Sequence, residues 1–376
     1  GGSPPGGRLP PSELRVAHQP PRGAPFPVET ARGPPAPPIG TFPLSERRVL
    51  GLRAHFEAFE AKFSKVYASV DHRERRFWVF VENLEKAVSD NAALAAQGLD
   101  EVWGVTKFSD IPQSEFHAMM GGLKEQKTFA PDHGRVRAPR TDVDVPAAFD
   151  WRQHGVVTPV KDQKQCGSCW AHSAVETLES AVALGGAPLT ALSVQQVTSC
   201  DTTDQGCDGG WYYTAWTDYV AVVGGLATEE AYPYDEETAT GTASKCNREL
   251  ASDLVPRTNL TAYSWATAPC TGFFCRSQDE ATLKANLVSF GPASVACDAS
   301  QWSAYTGGVL TSNSCANSGL KLDHAIQLVG YNETAPVPYW IVRNSWNTDW
   351  GNDGYIYLAM GGNTCGVADK AAQVEI

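Results

Sequence analysis

All ten cysteines of the chain fall between Cys166 and Cys365, and none lies in the first 165 residues. Free cytosolic thiols would show no such confinement, whereas disulfides of one secreted or lysosomal domain would. The feature divides the chain into a cysteine-free leading part and a cross-linked remainder. Two glycosylation sequons, at Asn259 and Asn332, lie in the remainder and fit the same lysosomal, vacuolar or secreted setting.

Charge divides the chain at a similar place. Residues 1–140 hold 19 Lys and Arg against 16 Asp and Glu, while residues 141–376 hold 11 against 26. A strongly acidic remainder argues against nucleic acid as a partner. A slightly basic leading part should attract it at neutral pH and less so in acid. No apolar run reaches the roughly 18 residues of a membrane span. The chain opens on Gly rather than Met, so the lack of a signal peptide says nothing about secretion.

Residues 1–45 hold 13 of the 25 prolines and seven glycines. Such a stretch buries too little apolar surface to offset its ordering entropy and reads as a flexible extension, or alternatively as a proline-rich docking segment. Phe56, Phe59 and Phe63, and then Phe77, Phe80, Leu84 and Val88, recur at helical spacing and predict two amphipathic helices, the second roughly 20 residues long. Residues 121–146 read as an extended linker. Residues 169–183 form one helical pattern with an apolar stripe of Cys169, Trp170, Ala174, Leu178 and Val182. Short β-like runs follow at Ala293–Ala296, Ala325–Val329, Tyr339–Val342 and Tyr355–Leu358. Helices first and strands later imply an α+β enzyme of two lobes.

The most informative segment is Gln163-Lys-Gln-Cys166-Gly-Ser-Cys169-Trp170. Cys169 opens a helix, whose N-terminal partial charge favours a thiolate. Attack on a carbonyl also needs a nearby base and donors for the oxyanion. Only His154, His172 and His324 occur after residue 140. His172 lies one turn deeper on the same helix and reads as packed, and His154 as exposed. His324 starts a strand-like run and is the remaining base. Asn344, before Ser345 and Trp346, is able to orient its second ring nitrogen under a covering indole. Asp323 competes for that role, but neighbours on a strand point to opposite faces.

Cys166–Trp170, with His324 and Asn344 downstream, resembles the signature of the papain-like cysteine proteases, in particular the cathepsin L-like group. The downstream gaps exceed the family's spacing somewhat, which implies an insertion in the second lobe. The resemblance runs from about residue 46 to the end. It implies a two-lobed fold with a helical lobe and an antiparallel barrel-like lobe. It also implies an inhibitory propeptide at 46–140 that runs backwards through the cleft, a mature peptidase at 141–376, and hydrolysis through a thioester acyl-enzyme. Gln163 would join the Cys169 N–H in the oxyanion hole. Gly209 and Gly210 would clamp the substrate backbone, with Trp211 and Trp346 beside the cleft. Tyr212, Ala296, Leu322, Asp323, Ala325 and Lys370 would contact substrate, Lys370 at the base of the S2 pocket. There it would favour acidic P2 residues or else snorkel to solvent.

The propeptide pattern appears as Arg76, Phe80, Asn83 and Asn91, with His72 and Ala87 as departures. A second pattern runs from Gly104 through Thr106 and Phe108 to Asp110. Matching positions imply bridges Cys166–Cys207, Cys200–Cys246 and Cys315–Cys365. A local bridge Cys270–Cys275 is expected in a stretch that looks inserted, leaving Cys297 buried and free.

The resulting expectation is a monomeric zymogen of an endopeptidase acting on polypeptides, without metal or cofactor, activated in acid by cleavage between about residues 130 and 146. The alternatives are an exopeptidase blocked by an added loop near 264–279 (a stretch that reads rather as a surface excursion), a transpeptidase, or an inactive binding or storage homologue. Cys166-Gly-Ser-Cys169 is also a CxxC pattern. A redox or zinc module, however, leaves His324, Asn344 and the propeptide pattern unexplained.

Overall fold

The computed structural model describes residues 46–123, 135–270, 272, 275, 278–311, 315 and 321–376. The proline-rich extension, residues 124–134 of the linker and most of the Thr-Gly-Phe-Phe insertion lie outside them. Leu50–Ile376 form one compact unit. No described helix is long and apolar enough to cross a membrane.

Helices α1 (Glu46–Lys62) and α2 (Val70–Ala95) build a small aromatic core from Leu52, Phe56, Phe59, Phe77, Phe80 and Val81. Burying each such ring is worth about 1.5–3 kcal/mol. The Ser69 side chain caps α2 by accepting the His72 N–H. At 26 residues α2 is longer than expected, and Val88 is 41 % exposed rather than part of the stripe. Steps of four residues drift about 40° each on a helix of 3.6 residues per turn. The buried face therefore passes instead through Ala87, Asn91 and Leu94.

The polar members of the propeptide pattern tie α2 to the chain that follows. Arg76 pairs with Glu115 at 2.7 Å and donates to the Asp110 carbonyl, and His72 accepts from Arg76 Nε. Asn83 donates to the carbonyls of Ser109 and Ile111. Asn91 brackets Trp103 and Val102. Asp110 is held by Lys65 and Tyr67. A third helix, α3 (Gln113–Met120), leads to the cleft.

Helix α4 (Cys169–Leu184) carries the start of the catalytic unit. It is buried nearly all round, not along one stripe, because strands cover one side and helices the other. Its two buried glutamates are answered: Glu179 by Lys161 at 2.8 Å, and Glu176 by Arg343 at 3.3 Å. Helix α5 (Val194–Cys200) and the helical run from Tyr212 to Val223 complete this lobe.

The other lobe is a sheet of β1 (Ala148–Asp150), β2 (Ala262–Trp265), β3 (Ala293–Cys297), β4 (Val309–Leu310), β5 (His324–Asn332), β6 (Tyr339–Arg343), β7 (Tyr355–Ala359) and β8 (Ala372–Glu375). The order is β2-β8-β3-β5-β6-β7-β4, with β1 on β5. All pairs are antiparallel except β4 with β7. Residues 264 and 265 belong to β2, so the apparent addition at 264–279 begins inside the sheet and not as a surface loop. Farther on it is tied back through Cys270 N–H to the Asp369 carbonyl.

The structure bridges Cys166–Cys207, Cys200–Cys246, Cys270–Cys275 and Cys315–Cys365. Cys169 and Cys297 are buried thiols.

Candidate active site

Three element ends converge on one place. Cys169 begins α4, His324 begins β5, and Asn344 directly follows β6. Strands β5 and β6 pair with Gln327 opposite Arg343, which brings His324 and Asn344 to the same sheet end. His324 Nε2 meets Asn344 Oδ1 at 2.7 Å. That bond leaves Nδ1 as the ring nitrogen available to a thiol. Trp346 lies over the imidazole with ring centroids 4.8 Å apart, and Trp302 meets it edge-on at 6.0 Å. The Ala325 N–H donates to Cys169 Sγ at 3.4 Å.

The other histidines lie elsewhere. His172 is buried with Nδ1 at 3.0 Å from the Ser168 carbonyl, and His154 is exposed. Asp323 turns its carboxylate to the Ala299 N–H at 2.7 Å, away from the imidazole. Gln163 is fully buried, with Nε2 donating to the Cys166 carbonyl at 3.0 Å and Oε1 accepting from Ser345 Oγ at 2.6 Å. Ser345 and Trp302 belong to the site although sequence reasoning assigned neither a role. Ser345 stood beside Asn344, but Trp302 carried no local signal.

The chain after α3 crosses this centre. The Gly122 and Leu123 N–H groups donate to the Asp323 carbonyl at 3.0 and 3.2 Å, and the Gly210 N–H donates to the Gly122 carbonyl at 2.8 Å. Leu123 forms a parallel bridge with Gly210. Only glycine fits at 122: a Cβ would stand 2.3 Å from the Gly167 carbonyl oxygen and 2.7 Å from Sγ. Upstream, Phe108 and Phe116 meet the Trp346 ring edge-on at 5.4 and 5.3 Å. Lys107 pairs with Asp349 at 2.9 Å.

This cover decides the electrostatics. Burial pushes the Cys169 thiol up to about 12, against the Ala325 N–H. Burial pushes the His324 imidazole down to about 4, against Asn344 and the Met120 carbonyl. Burial thus works against the thiolate that the helix start favours. A helix terminus contributes about 0.3–1 kcal/mol, and desolvation outweighs it.

Tyr212, Ala296, Leu322 and Ala325 are buried in one apolar cluster with Leu123 packed against it. Lys370 does not snorkel: it is 4 % exposed, its ammonium 5.9 Å from the Trp211 ring and 5.7 Å from the Trp265 ring. Asn259 is exposed, whereas Asn332 is half-buried and accepts from the Thr334 N–H and hydroxyl.

Residues 145–374 match the model of the papain family cysteine protease, and residues 56–116 match the cathepsin propeptide inhibitor domain. The chain is 38% identical to a cysteine proteinase of Trypanosoma brucei brucei over 84% of its own length, but covers only 65% of that protein. It is 36% identical to cysteine proteinase 15A of Pisum sativum, over 88% of each. Among solved structures, the digestive procathepsin L2 proteinase of the Tenebrio molitor larval midgut superposes with a TM-score of 0.74 at 31% identity, covering 86% of this chain and 100% of that one. Thiol, imidazole and an overlying inhibitory segment define a cysteine protease precursor. The chain belongs to the papain family of cysteine proteases.

Proposed function

We propose that the chain is the latent form of a cysteine endopeptidase. One observation carries the reading: the cleft at Cys169 holds Gly122 and Leu123, an internal segment whose chain continues in both directions. A cleft that accepts such a segment suits an endopeptidase better than an exopeptidase.

In this reading the Cys169 thiol gives its proton to His324 Nδ1, and Sγ attacks the scissile carbonyl and forms the S–C bond as the carbonyl π pair moves onto oxygen. Gln163 Nε2 and the Cys169 N–H hold the oxyanion. The C–N bond then breaks as His324 gives its proton to the leaving amine. Water next attacks the thioester, passes a proton to His324 and releases the acid and the thiol. Asn344 keeps the ring oriented throughout. Departure of the propeptide rehydrates both groups and permits their ionisation, and acid promotes that departure. Substrates are polypeptides and the active unit is a monomer. The disulfides and the sequons at Asn259 and Asn332 support a lysosomal, vacuolar or secreted setting.

The burial of Lys370 between two indoles supports a pocket that takes Asp or Glu at P2, since a cation kept out of water gains most from an anionic guest.

Acidifying the full chain with an epoxide thiol inhibitor, followed by mass spectrometry, tests the core of this reading. Label on Cys169 and a new N-terminus between about residues 130 and 146 are expected. Label elsewhere, or an intact and unreactive chain in acid, would refute it. An internally quenched peptide blocked at both ends should be cut, and failure to cut it would favour an exopeptidase.

A further inference from the structure

Strand β2 ends the sheet and pairs with β8 on one side only. Along its other side runs Arg135–Arg137, with Val136 in a parallel bridge to Trp265. The Trp265 N–H donates to the Arg135 carbonyl and the Arg137 N–H to the Trp265 carbonyl, both at 2.9 Å. Asn286, fully buried on the helix Glu280–Phe290, donates Nδ2 to the Arg137 carbonyl at 2.9 Å.

The two arginine side chains meet one acid. Arg137 Nη2 lies 3.5 Å from Glu375 Oε1, and Arg135 Nη2 lies 3.6 Å from Oε2. Arg137 is the anchor. Its guanidinium carbon stands 3.8 Å from the centroid of the Phe290 ring, and its side chain is 21 % exposed against 75 % for Arg135. An edge strand offers backbone bonds to any extended chain, while a carboxylate beside an aromatic face selects a guanidinium on it.

The present occupant lies outside the catalytic domain. Arg135–Arg137 precedes residue 145, where the papain family match begins, and Arg140–Asp142 between them are exposed. Exposed chain of this kind is where proteases cut. A cut after Arg137 leaves a segment held by few bonds, which dissociates readily and opens the Trp265 edge, the Phe290 face and Glu375. Residues 141–376 carry 11 Lys and Arg against 26 Asp and Glu, so a basic segment is the complementary guest.

We propose that Trp265, Asn286, Phe290 and Glu375 form an exosite of the processed enzyme, which takes an extended, arginine-bearing segment of the polypeptide substrate in the place that Arg135–Arg137 fills in the precursor. The inference rests on the reading that the leading part is cut away to release an endopeptidase. Chain direction is no obstacle: one residue of an antiparallel segment would take both Trp265 bonds that Arg135 and Arg137 share here.

The test uses enzyme processed from the full chain, its new N-terminus mapped by mass spectrometry and its cleft blocked by an epoxide on Cys169. The probe is a fluorescent, end-blocked peptide of residues 134–139. Anisotropy should show saturable binding, and hydrogen exchange at the Trp265 amide should slow when the probe binds. Citrulline in place of Arg137 in the probe, or Glu375→Gln in the enzyme, should each weaken binding at least about threefold. The citrulline probe keeps the test independent of whether Glu375→Gln folds. The Cys169→Ala full chain, whose own Arg137 fills the site, should bind at least about tenfold more weakly. In unblocked enzyme, Glu375→Gln should raise KM for a denatured arginine-rich protein at least about twofold more than KM for a blocked dipeptide. No saturable binding, equal affinity for the citrulline probe, equal binding by the full chain, an equal change in both KM values, or a mature N-terminus before Arg135 overturns the inference and leaves the endopeptidase reading in place. A chain never processed and never labelled at Cys169 overturns that reading, and the inference with it.

Discussion

The α-carbon of Gly122 rests so closely on Cys169 that a methyl group there would stand 2.7 Å from Sγ. Gly122→Ala should therefore lift the propeptide from the thiol. Overpacking costs about 1–3 kcal/mol, so a neutral epoxide should label Cys169 in the full chain roughly 5- to 100-fold faster than in wild type. An unchanged rate would mean that another segment guards the thiol.

Asn344→Ala removes the acceptor that holds His324 Nε2 at 2.7 Å. The imidazole keeps its Trp346 cover but loses its fixed orientation. In processed enzyme kcat should fall on the order of 100-fold, with KM little changed and the circular dichroism intact. A drop in KM-linked binding alone would point to a structural role for the amide.

Lys370→Ala should cost the pocket its anionic guests. A charge-assisted hydrogen bond is worth about 1.5–3 kcal/mol, so kcat/KM for Glu at P2 should fall roughly 10- to 100-fold while Leu at P2 changes little. Equal losses for both residues in a P2 library would place the ammonium outside the pocket's chemistry.

Acid acts oppositely on the two parts of the precursor. Burial holds the Asp323 and Asp369 carboxyls up, near about 7 and about 6. Both contribute stability below their ordinary value of 3.8 and lose it as pH rises through those folded values. In the propeptide, the Arg53 hydrogen bond holds Glu74 below its ordinary 4.5, so its contribution is present above that value and is lost as pH falls. In the Cys169→Ala full chain, hydrogen exchange corrected for intrinsic rates should therefore quicken in α1 and α2 before α4 as pH drops below about 4.5. Earlier opening of α4 would contradict this.

The long elements were legible because periodicity is a local property. The pattern around Phe77 and Phe80 predicted α2, although a four-residue step carried it to Val88, which faces solvent, instead of Ala87. Strands β1, β2, β4 and β8 are two to four residues long, too short to show a period. The proposed base could be picked out because only three histidines follow residue 140 and two had local reasons to be set aside. Glu176 and Glu179 on α4 gave no warning of burial, because their partners Arg343 and Lys161 come from distant segments.

The sequence alone singled out the side chains proposed to carry the chemistry, since a thiol at a helix start, an imidazole and an amide are read from residue type and order. It also marked the division between a cysteine-free leading part and a cross-linked remainder. Tertiary structure decided how far Cys169 is desolvated: Gly122 covers the thiol, and burial pushes its pKa up against the pull of the helix start. Packing likewise placed Lys370 between two indoles that lie far from it in sequence, and no spacing along the chain encodes such a contact.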